Sequence, residues 1–335
     1  LAHGAEPPQD CAMKSLSSGH WYPVLSSREL GHKPVARTRF DCRVVFWRSS
    51  TGAVRCMVDR CAHRGAALSL GKVCGDAIEC PFHGFRFAPD GRCVRVPAEG
   101  PDWDIPAHFR VDTWPVVEVD DYVWAWRGPD VAAADRPAPP RLDLVDGMHF
   151  GEIHYEWQAH YTRAIENVLD YSHLPFVHRK SIGAFIRDPV TRVRTEDHET
   201  GFLFFQVRDR GSDRQYVDFR YPNLWFNRIG KNYLLGATFV PIDATHTEVY
   251  VRWYHRVPRP LHPLVNVLGR FSQYLVFNDD LPIVASQRPA NADDAEDDRL
   301  VPSDGGLIAF RKLRKFHQTQ VTDTLNAPDG THIAS

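Results

Sequence analysis

Cys61-Ala62-His63-Arg64-Gly65 and Cys80-Pro81-Phe82-His83-Gly84 are the two runs that decide how this chain folds, and sixteen residues separate His63 from Cys80. Each run supplies one thiol and one imidazole and ends on glycine, which permits a tight loop. Thiolate is a soft metal ligand, and imidazole suits metals such as iron and zinc. The two runs therefore predict a metal centre held between two loops.

The order of these four residues distinguishes two kinds of centre. Zinc fingers usually place two Cys together and two His together. Here each loop gives one Cys and one His, as C-x-H and C-x₂-H, which favours a Rieske [2Fe–2S] cluster with two Cys on one iron and two His on the other. We interpret Cys61, His63, Cys80 and His83 as cluster ligands. Zinc is the alternative, and a colourless protein would favour it.

Composition places the chain among ordinary globular proteins. It has 335 residues, 43% hydrophobic and 24% charged, with a formal net charge of −2. The length suffices for two domains, and the absence of a basic excess argues against nucleic acid or a membrane as partner. Removing the two cluster cysteines from seven leaves five, an odd number that does not suggest a disulfide framework. We therefore expect a cytoplasmic protein.

Hydrophobic patterning divides the chain into a β-rich part and a mixed part. Short β-rich runs with hairpin signals fill residues 40–128, and a Pro- and Ala-rich linker follows at 128–142. A helical run at 161–171 precedes several β-rich runs between 201 and 256, and apolar residues return with helical period at 264–276. The pattern predicts an all-β unit followed by an antiparallel sheet with helices.

A second group of ligand residues lies in the first helical run. Asn167, Asp170 and His173 fall at steps of three and would share one helix face. Pro175 is expected to end or bend this helix, so that His178 returns toward His173. Two neutral imidazoles and a carboxylate with open positions form the facial triad of non-haem Fe(II) oxygenases.

With both motifs in this order, the chain resembles the α subunits of Rieske non-haem iron oxygenases over nearly its whole length. The motifs are C-x-H-x₁₆-C-x₂-H and, C-terminal to it, N-x₂-D-x₂-H-x₄-H. The resemblance implies a third ligand to a mononuclear iron in the acidic run 277–287, where Asp280 matches the ligand position and Asp279 is the alternative. Pro282 should begin a new turn or kink this helix.

The same resemblance implies roles for residues between the two metals. The family works as a homotrimer in which the Rieske domain of one subunit abuts the iron site of the next. Asp170, with Asn167 near it, would be catalytic, and its carboxylate would join His173 to His83 of the neighbouring subunit. A carboxylate in this position orients a metal-bound imidazole.

The resemblance and the patterning together predict an α+β protein. A small all-β Rieske domain would be joined to a helix-grip-like catalytic domain with an antiparallel sheet and helices. We assign residues 1–39 to an N-terminal leader and the start of the catalytic domain, 40–128 to the Rieske domain, and 129–335 to the catalytic non-haem iron domain.

The resemblance is nearest to the homotrimeric monooxygenase branch, which contains vanillate and dicamba O-demethylases and aminopyrrolnitrin oxygenase. It implies a terminal oxygenase component that uses O₂ and two electrons to hydroxylate or oxidatively demethylate a small aromatic or polycyclic substrate. A cis-dihydroxylating dioxygenase and a Rieske electron carrier without oxygenase chemistry are the alternatives. The chain has no G-x-G-x-x-G run, so an NAD(P)H-dependent reductase, with or without a ferredoxin, must supply the electrons.

The substrate is expected to bind against the sheet of the second domain. Polar and aromatic residues in its β-rich runs and in the acidic helix are candidates for the pocket lining: Asn223, Trp225, Asn227, Trp253 and Phe277.

Overall fold

A computed structural model describes residue 13 and residues 16–129, 131–186, 193–206 and 216–326. Most of the segment 1–19, which the sequence assigns to a leader, lies outside these described residues. The remaining part of the chain contains the α+β architecture that the sequence predicts, with an all-β unit first and a sheet covered by helices second.

The first unit contains ten short strands in three antiparallel sheets, with orders β1-β10-β9, β2-β3-β4 and β5-β6-β7-β8. The predicted hairpins are confirmed as β3–β4 and β9–β10. The strands are β1 (His20–Ser26), β2 (Val35–Arg39), β3 (Cys42–Arg48), β4 (Val54–Val58), β5 (Lys72–Cys74), β6 (Ala77–Glu79), β7 (Arg86–Phe87), β8 (Cys93–Arg95), β9 (Val116–Val119) and β10 (Tyr122–Arg127).

The β2–β3 and β9–β10 hairpins close through two-residue loops in the left-handed conformation. Phe40 and Asp41 have φ of 56° and 63°, and Asp120 and Asp121 have φ of 52° and 61°. Loops with positive φ at both residues match the right-handed twist of the paired strands. Aspartate tolerates this conformation better than most residues, which explains the Asp-Asp pair in the second loop.

The second unit is built on a seven-stranded antiparallel sheet of order β11-β17-β16-β15-β14-β13-β12. Four α-helices accompany it within the described residues. The elements are β11 (His149–Trp157), β12 (Val193–His198), β13 (Gly201–Gln206), β14 (Tyr216–Arg220), β15 (Leu224–Arg228), β16 (Tyr233–Pro241), β17 (Thr247–His255), α1 (Tyr161–Leu169), α2 (Leu174–Val177), α3 (His262–Ser286) and α4 (Gly305–Asn326).

Both faces of the central strands of this sheet are buried. On one face, Ala237 and Val251 pack in a single cluster with Ile165 of α1, Phe277 of α3 and Phe310 of α4. The opposite face packs against the aromatic residues of β10, and its buried contributors are Leu224, Phe226, Leu234 and Tyr254. Because alternate side chains of a strand point to opposite faces, each central strand serves both cores.

Arg252 of β17 ties the two units together. Its guanidinium is fully buried, and it donates to the carboxylate of Glu152 at 2.6 Å and to the backbone carbonyls of Asp120 and Asp121 at 3.1 and 2.7 Å. It also lies 3.4 Å above the ring of Tyr122. Since a buried cation is tolerated only when paired, these contacts fix the β9–β10 loop on the sheet.

The predicted helix through Asn167, Asp170 and His173 is wrong in its extent, because α1 ends at Leu169. The Asp170 carboxylate accepts hydrogen bonds from the N–H and the hydroxyl of Ser172 at 2.7 and 2.5 Å, which stabilises a turn in place of the next helical residues. His173 then precedes α2, whose first turn contains Pro175, a position where the missing N–H costs nothing.

Helix α3 continues through Pro282, so the expected new turn at this residue is not formed. The helix runs unbroken to Ser286, and Pro282 removes only one hydrogen bond, the one to the carbonyl of Asn278. Asp280 therefore lies inside a long helix, and its side-chain direction is fixed by the residues that pack on either side of it.

Gly269 is required where α3 crosses Trp253. A methyl group at this position would lie 2.5 Å from the indole. We predict that Gly269→Ala lowers the free energy of unfolding by about 1–3 kcal/mol, although alanine alone would favour the helix by about 1 kcal/mol. The measurement is the thermal midpoint, with Gly230→Ala as control, since no atom lies within 4 Å of a methyl group at Gly230. An unchanged or raised midpoint for Gly269→Ala would contradict this packing.

Candidate metal centres and substrate site

The two predicted cluster loops have the same backbone construction. The N–H of Cys61 donates to the carbonyl five residues later at 2.8 Å, and its carbonyl accepts from Gly65 N–H at 2.9 Å. Cys80 makes the two corresponding bonds at 2.8 and 3.1 Å, the second from Gly84. Both glycines have positive φ, 73° and 72°. The loops therefore present Cys and His in matching ways from two sides.

The sulfur and nitrogen ligands of these loops lie at different depths. Cys61 and Cys80 are buried, whereas His63 and His83 are exposed, with ring centroids 4.8 Å apart. His63 is stacked on Phe85 at 4.6 Å, which holds its ring in place. Burial raises the pKa of the Cys61 thiol to about 11, so a bound cation is needed to hold it as a thiolate.

The spread of these donors fits a cluster better than a single ion. A tetrahedral zinc site brings its four donor atoms to within roughly 3.3–3.8 Å of one another. The donors of the two loops do not come this close together. Within the described ranges, only His173, His178 and Asp280 form a set of three or more His, Cys, Asp or Glu donors within 4.8 Å of one another. The two loops therefore suit a two-iron cluster, in which the Cys and His ligands belong to different metals.

His173, His178 and Asp280 converge from the two ends of α2 and from α3. Asp280 Oδ1 lies 3.0 Å from His178 Nε2 and 3.5 Å from His173 Nε2, and the imidazole centroids are 5.3 Å apart. His173 precedes α2, His178 caps its C-terminus and Asp280 projects from α3. His178 and Asp280 are buried.

The polar atoms of this group lack hydrogen-bond partners. Both ring nitrogens of His178 and Oδ1 of Asp280 are buried without a partner, because the 3.0 Å approach between them does not have hydrogen-bond geometry. An unpaired buried carboxylate is costly unless a cation neutralises it. Two imidazoles and one carboxylate are the donor set of non-haem Fe(II) sites, so the residues fit this metal.

A second carboxylate stands behind each imidazole. Asp170 Oδ2 lies 3.6 Å from His173 Nδ1, and Asp279 Oδ2 lies 3.6 Å from His178 Nδ1. Asp279 and Asp280 therefore have different positions. Asp280 faces the Nε2 atoms of His173 and His178, whereas the half-exposed Asp279 faces Nδ1 of His178. Carboxylates at Nδ1 fix the tautomer of a metal-binding histidine.

Asp170 is held as an anion by its neighbours. Burial opposes its ionisation, but the facing imidazole of His173 and the hydrogen bonds from Ser172 outweigh this and hold the pKa of its carboxyl below the usual range. Asn167 lies one turn earlier, and its carbonyl accepts from the N–H of Asp170 at 3.3 Å, while its side-chain amide nitrogen is buried without a partner.

The five predicted pocket residues have different surroundings. Trp225 and Phe277 belong to the cluster between the sheet and the helices. Asn227 accepts a hydrogen bond from the Tyr171 hydroxyl at 3.3 Å. Asn223 is fully buried, and its amide donates to the carbonyl of Phe239 at 2.9 Å, a bond that supports the start of β15.

Trp253, the fifth of these residues, lines a cavity of about 670 Å³ between β11 and α3. Its indole N–H donates to Asn266 at 3.3 Å, and its ring is packed against Gly151 and Gly269. Along α3, the cavity-lining residue that is nearest in sequence to Asp280 is Tyr274, six residues before it. None of the described residues that line the cavity belongs to the group of His173, His178 and Asp280.

Sequence reasoning missed two residues on the buried surfaces near this group. Gln273 lies on the same buried face of α3 as Phe277 and Asp280, a relation that the spacing of seven residues from Asp280 could have indicated. Tyr155 stacks on Phe277 with centroids 5.5 Å apart. No sequence signal distinguishes Tyr155 from other aromatic strand residues, since its role depends on which helix covers it.

Known proteins resemble both parts of the chain. Residues 20–115 match the Rieske [2Fe-2S] domain, and residues 157–316 match the vanillate O-demethylase oxygenase C-terminal domain. A putative toluene-4-sulfonate monooxygenase system iron-sulfur subunit from Comamonas testosteroni is 36% identical over 50% of this chain and 48% of its own length. The chain thus spans about half the length of such curated relatives.

Longer alignments extend over both parts. Methylxanthine N3-demethylase from Pseudomonas putida is 27% identical over 88% of each chain. The solved structure of NdmA from the same organism superposes with a TM-score of 0.76 over 95% of this chain and 97% of its own, at 24% identity, which shows a shared fold. Within the described part of the chain, no helix combines the length and apolar character needed to cross a bilayer.

The Rieske match contains the two loops with Cys61, His63, Cys80 and His83. The vanillate O-demethylase match, which follows it, contains His173, His178 and Asp280. The chain belongs to the Rieske oxygenases, with a Rieske [2Fe–2S] domain followed by a catalytic domain of the vanillate O-demethylase type.

Proposed function

We propose that this chain is the terminal oxygenase component of a multi-component system that hydroxylates or oxidatively demethylates a small aromatic or polycyclic substrate. The observation that carries the proposal is the group of His173, His178 and Asp280, in which both ring nitrogens of His178, Nδ1 of His173 and Oδ1 of Asp280 are buried without a hydrogen-bond partner. A Rieske electron carrier would have no use for such a group. Similarity to methylxanthine N3-demethylase supports the same class of reaction.

Oxidative demethylation of a methyl ether balances as follows. The ether, O₂, two electrons and two protons give a hydroxymethyl ether and water, and the hydroxymethyl ether then releases formaldehyde and leaves the hydroxyl compound. The electrons come from NAD(P)H through a separate reductase, with or without a ferredoxin. Since NAD(P)H is generated in the cytoplasm, we place the enzyme there.

We assign the ligands as follows. Cys61 and Cys80 hold one iron of the Rieske cluster, and His63 and His83 hold the other. His173, His178 and Asp280 hold a mononuclear Fe(II), which when bound supplies the site of O₂ activation. Three protein donors would leave coordination positions open for O₂ beside the substrate.

Asp170 is assigned as the residue that connects the two centres. Its carboxylate lies 3.6 Å from His173 Nδ1 and retains exposed surface. The imidazole of His83 is exposed at the tip of the Rieske domain. In a homotrimer, His83 of one subunit would approach Asp170 of the next, and Asn167 would support the end of α1 below it.

The substrate is assigned to the helix-facing side of the sheet. Trp225, Phe277 and Trp253 provide aromatic walls, and Asn227 provides a polar group beside Tyr171. Asn223 supports this wall through its bond to Phe239. The walls are mostly apolar, which suits an aromatic substrate.

Iron analysis tests the presence of two kinds of centre. Iron-replete protein should contain about three Fe per chain and be coloured. Cys80→Ser should lose the visible absorption and keep about one Fe, whereas His178→Ala should keep the absorption and about two Fe. A colourless wild-type protein, or equal loss of colour in both variants, would contradict the assignment.

Asp279 and Asp280 offer a matched test of which residue is the third ligand of the mononuclear iron. Asp280→Ala should lose the mononuclear iron and retain about two Fe per chain with an unchanged visible spectrum. Asp279→Ala should retain nearly three Fe per chain, because the carboxylate of Asp279 faces the outer nitrogen of His178, Nδ1. The measurement is iron content after identical reconstitution, and the reverse order of the two variants would make Asp279 the ligand.

Removing the charge of Asp170 tests the connection between the centres. Asp170→Asn should keep both metals but lower turnover by about 100-fold or more, because the carboxylate that orients the His173 imidazole is lost. The measurement is the rate at which the reduced cluster is reoxidised by O₂ with substrate present. Asp197→Asn, on the exposed face of β12, is the control. Full activity of Asp170→Asn would refute the connection.

A further inference from the structure

The two carboxylate oxygens of Asp170 have separate neighbours. Oδ1 accepts hydrogen bonds from the backbone N–H and from the hydroxyl of Ser172, at 2.7 and 2.5 Å. Oδ2 faces Nδ1 of His173 at 3.6 Å. Ser172 therefore supplies two donors to one oxygen and none to the other.

The number of acceptor sites on a carboxylate limits what Asp170 can still bind. An ionised carboxylate has about four lone-pair sites, two on each oxygen. The two donors of Ser172 fill the sites of Oδ1, so the sites that remain are on Oδ2. Any further N–H group that binds Asp170 must therefore be accepted by the oxygen that also faces His173.

The imidazole of His173 needs one of the two sites on Oδ2. Its Nδ1 is buried and has no hydrogen-bond partner, and Oδ2 of Asp170 is the carboxylate oxygen that faces it. Its Nε2 faces Asp280 on the side of the proposed iron. Since a metal-bound imidazole donates its other N–H to an acceptor, Nδ1–H of His173 would occupy one site of Oδ2. One site then remains.

The remaining site is accessible from outside the chain. The side chain of Asp170 is 27% exposed, whereas that of Asp280 is only 5% exposed. Asp170 can therefore receive a donor from a second molecule, and Asp280 cannot. In the proposed trimer this donor is the exposed imidazole of the partner subunit's His83.

We propose that Ser172 is a positioning residue that makes Asp170 a bridge through a single oxygen. Oδ2 accepts both Nδ1–H of His173 in its own subunit and an imidazole N–H of the partner subunit's His83. In turnover, one electron leaves the reduced cluster, which is thereby oxidised, and passes to the mononuclear site, where O₂ is reduced. This inference rests on the proposed function, because it requires the trimer and both metal centres.

The Ser172 hydroxyl decides between two forms of the bridge. When the imidazoles share Oδ2, one atom separates the two hydrogen bonds. When each imidazole has its own oxygen, the connection includes the carboxyl carbon and two C–O bonds and is longer. Without the hydroxyl, Oδ1 has a free site and can accept the second imidazole. Loss of a hydrogen bond to a charged group reduces the population of the one-oxygen form by about 10-fold or more.

A crystal structure of the iron-loaded trimer tests this arrangement without turnover. In the wild-type protein, we expect a ring nitrogen of the partner subunit's His83 at about 3 Å from Oδ2 of Asp170. Both donors of Ser172 should remain on Oδ1. In Ser172→Ala, we expect the partner's His83 to lie at hydrogen-bond distance from Oδ1 instead, because this oxygen has lost one donor.

Two substitutions separate the hydroxyl from the shape of the turn. Ser172→Ala removes the hydroxyl, and Ser172→Thr keeps it. Both should retain about three Fe per chain. Ser172→Ala should slow the reoxidation of the reduced cluster by O₂ about 10-fold, whereas Ser172→Thr should keep at least half of the wild-type rate. Vanillate, a methoxybenzene, is the probe, and Ser272→Ala on the exposed face of α3 is the control.

Several results would overturn the inference. In the crystal structure, these are an imidazole of the partner on Oδ1 in the wild-type protein, or none within reach of Asp170. In the kinetics, they are a wild-type rate for Ser172→Ala, or a rate for Ser172→Thr that is no faster than that of Ser172→Ala. Loss of the mononuclear iron from Ser172→Ala would also overturn it, because Ser172 would then only stabilise the turn.

Failure of the oxygenase proposal is a separate result. A wild-type cluster that O₂ fails to reoxidise, with vanillate and with other methoxy- and N-methyl-substituted aromatic probes, would reject oxygenase activity. The position of the partner's His83 relative to the two oxygens of Asp170 would still decide the role of Ser172.

Discussion

A buried carboxylate between two imidazoles is the constraint on which the rest of this structure depends. Asp280 Oδ1 lies within 3.5 Å of the Nε2 atoms of His173 and His178 and has no hydrogen-bond donor. Removing such a group from water costs several kcal/mol unless a cation compensates. These three side chains therefore fit a metal ion, and α2 and α3 bring them together.

The supporting contacts explain why the group can form. The turn that follows α1 is made by the Asp170 carboxylate, which binds Ser172 and leaves its second oxygen toward His173. Helix α3 is held to the sheet where Trp253 packs under Gly269. The opposite face of the same sheet is covered by the Rieske unit, and Arg252 joins the two through buried hydrogen bonds. The sheet thus has buried contacts on both faces.

Sequence reasoning reached the α+β fold and the convergence of His173, His178 and Asp280, because ligand types and their spacing are local signals. It placed His173 on the wrong element, since the side chain of Asp170 competes with the helix for backbone hydrogen bonds. It chose Asp280 by resemblance and kept Asp279 as the alternative. Which of two adjacent acids faces inward depends on the rotation of α3, and that rotation is set by packing.

Two elements escaped prediction for different physical reasons. The edge strand β12 is exposed along most of its length, so it lacks the alternation of apolar residues that identifies a strand. Helix α4 buries Arg314, whose guanidinium binds Asp293 and Tyr161, and this cation interrupts the apolar face that would mark the helix. In both cases tertiary partners replace the hydrophobic pattern.

Anomalous scattering at the iron edge, from crystals of protein purified under iron-replete conditions, tests the central claim most directly. The account predicts a two-iron peak between the loops at 61–65 and 80–84, and a separate single peak enclosed by His173, His178 and Asp280. Iron at the two loops with no peak at the three-residue group would contradict it, because the buried carboxylate would then be neutralised by something other than iron.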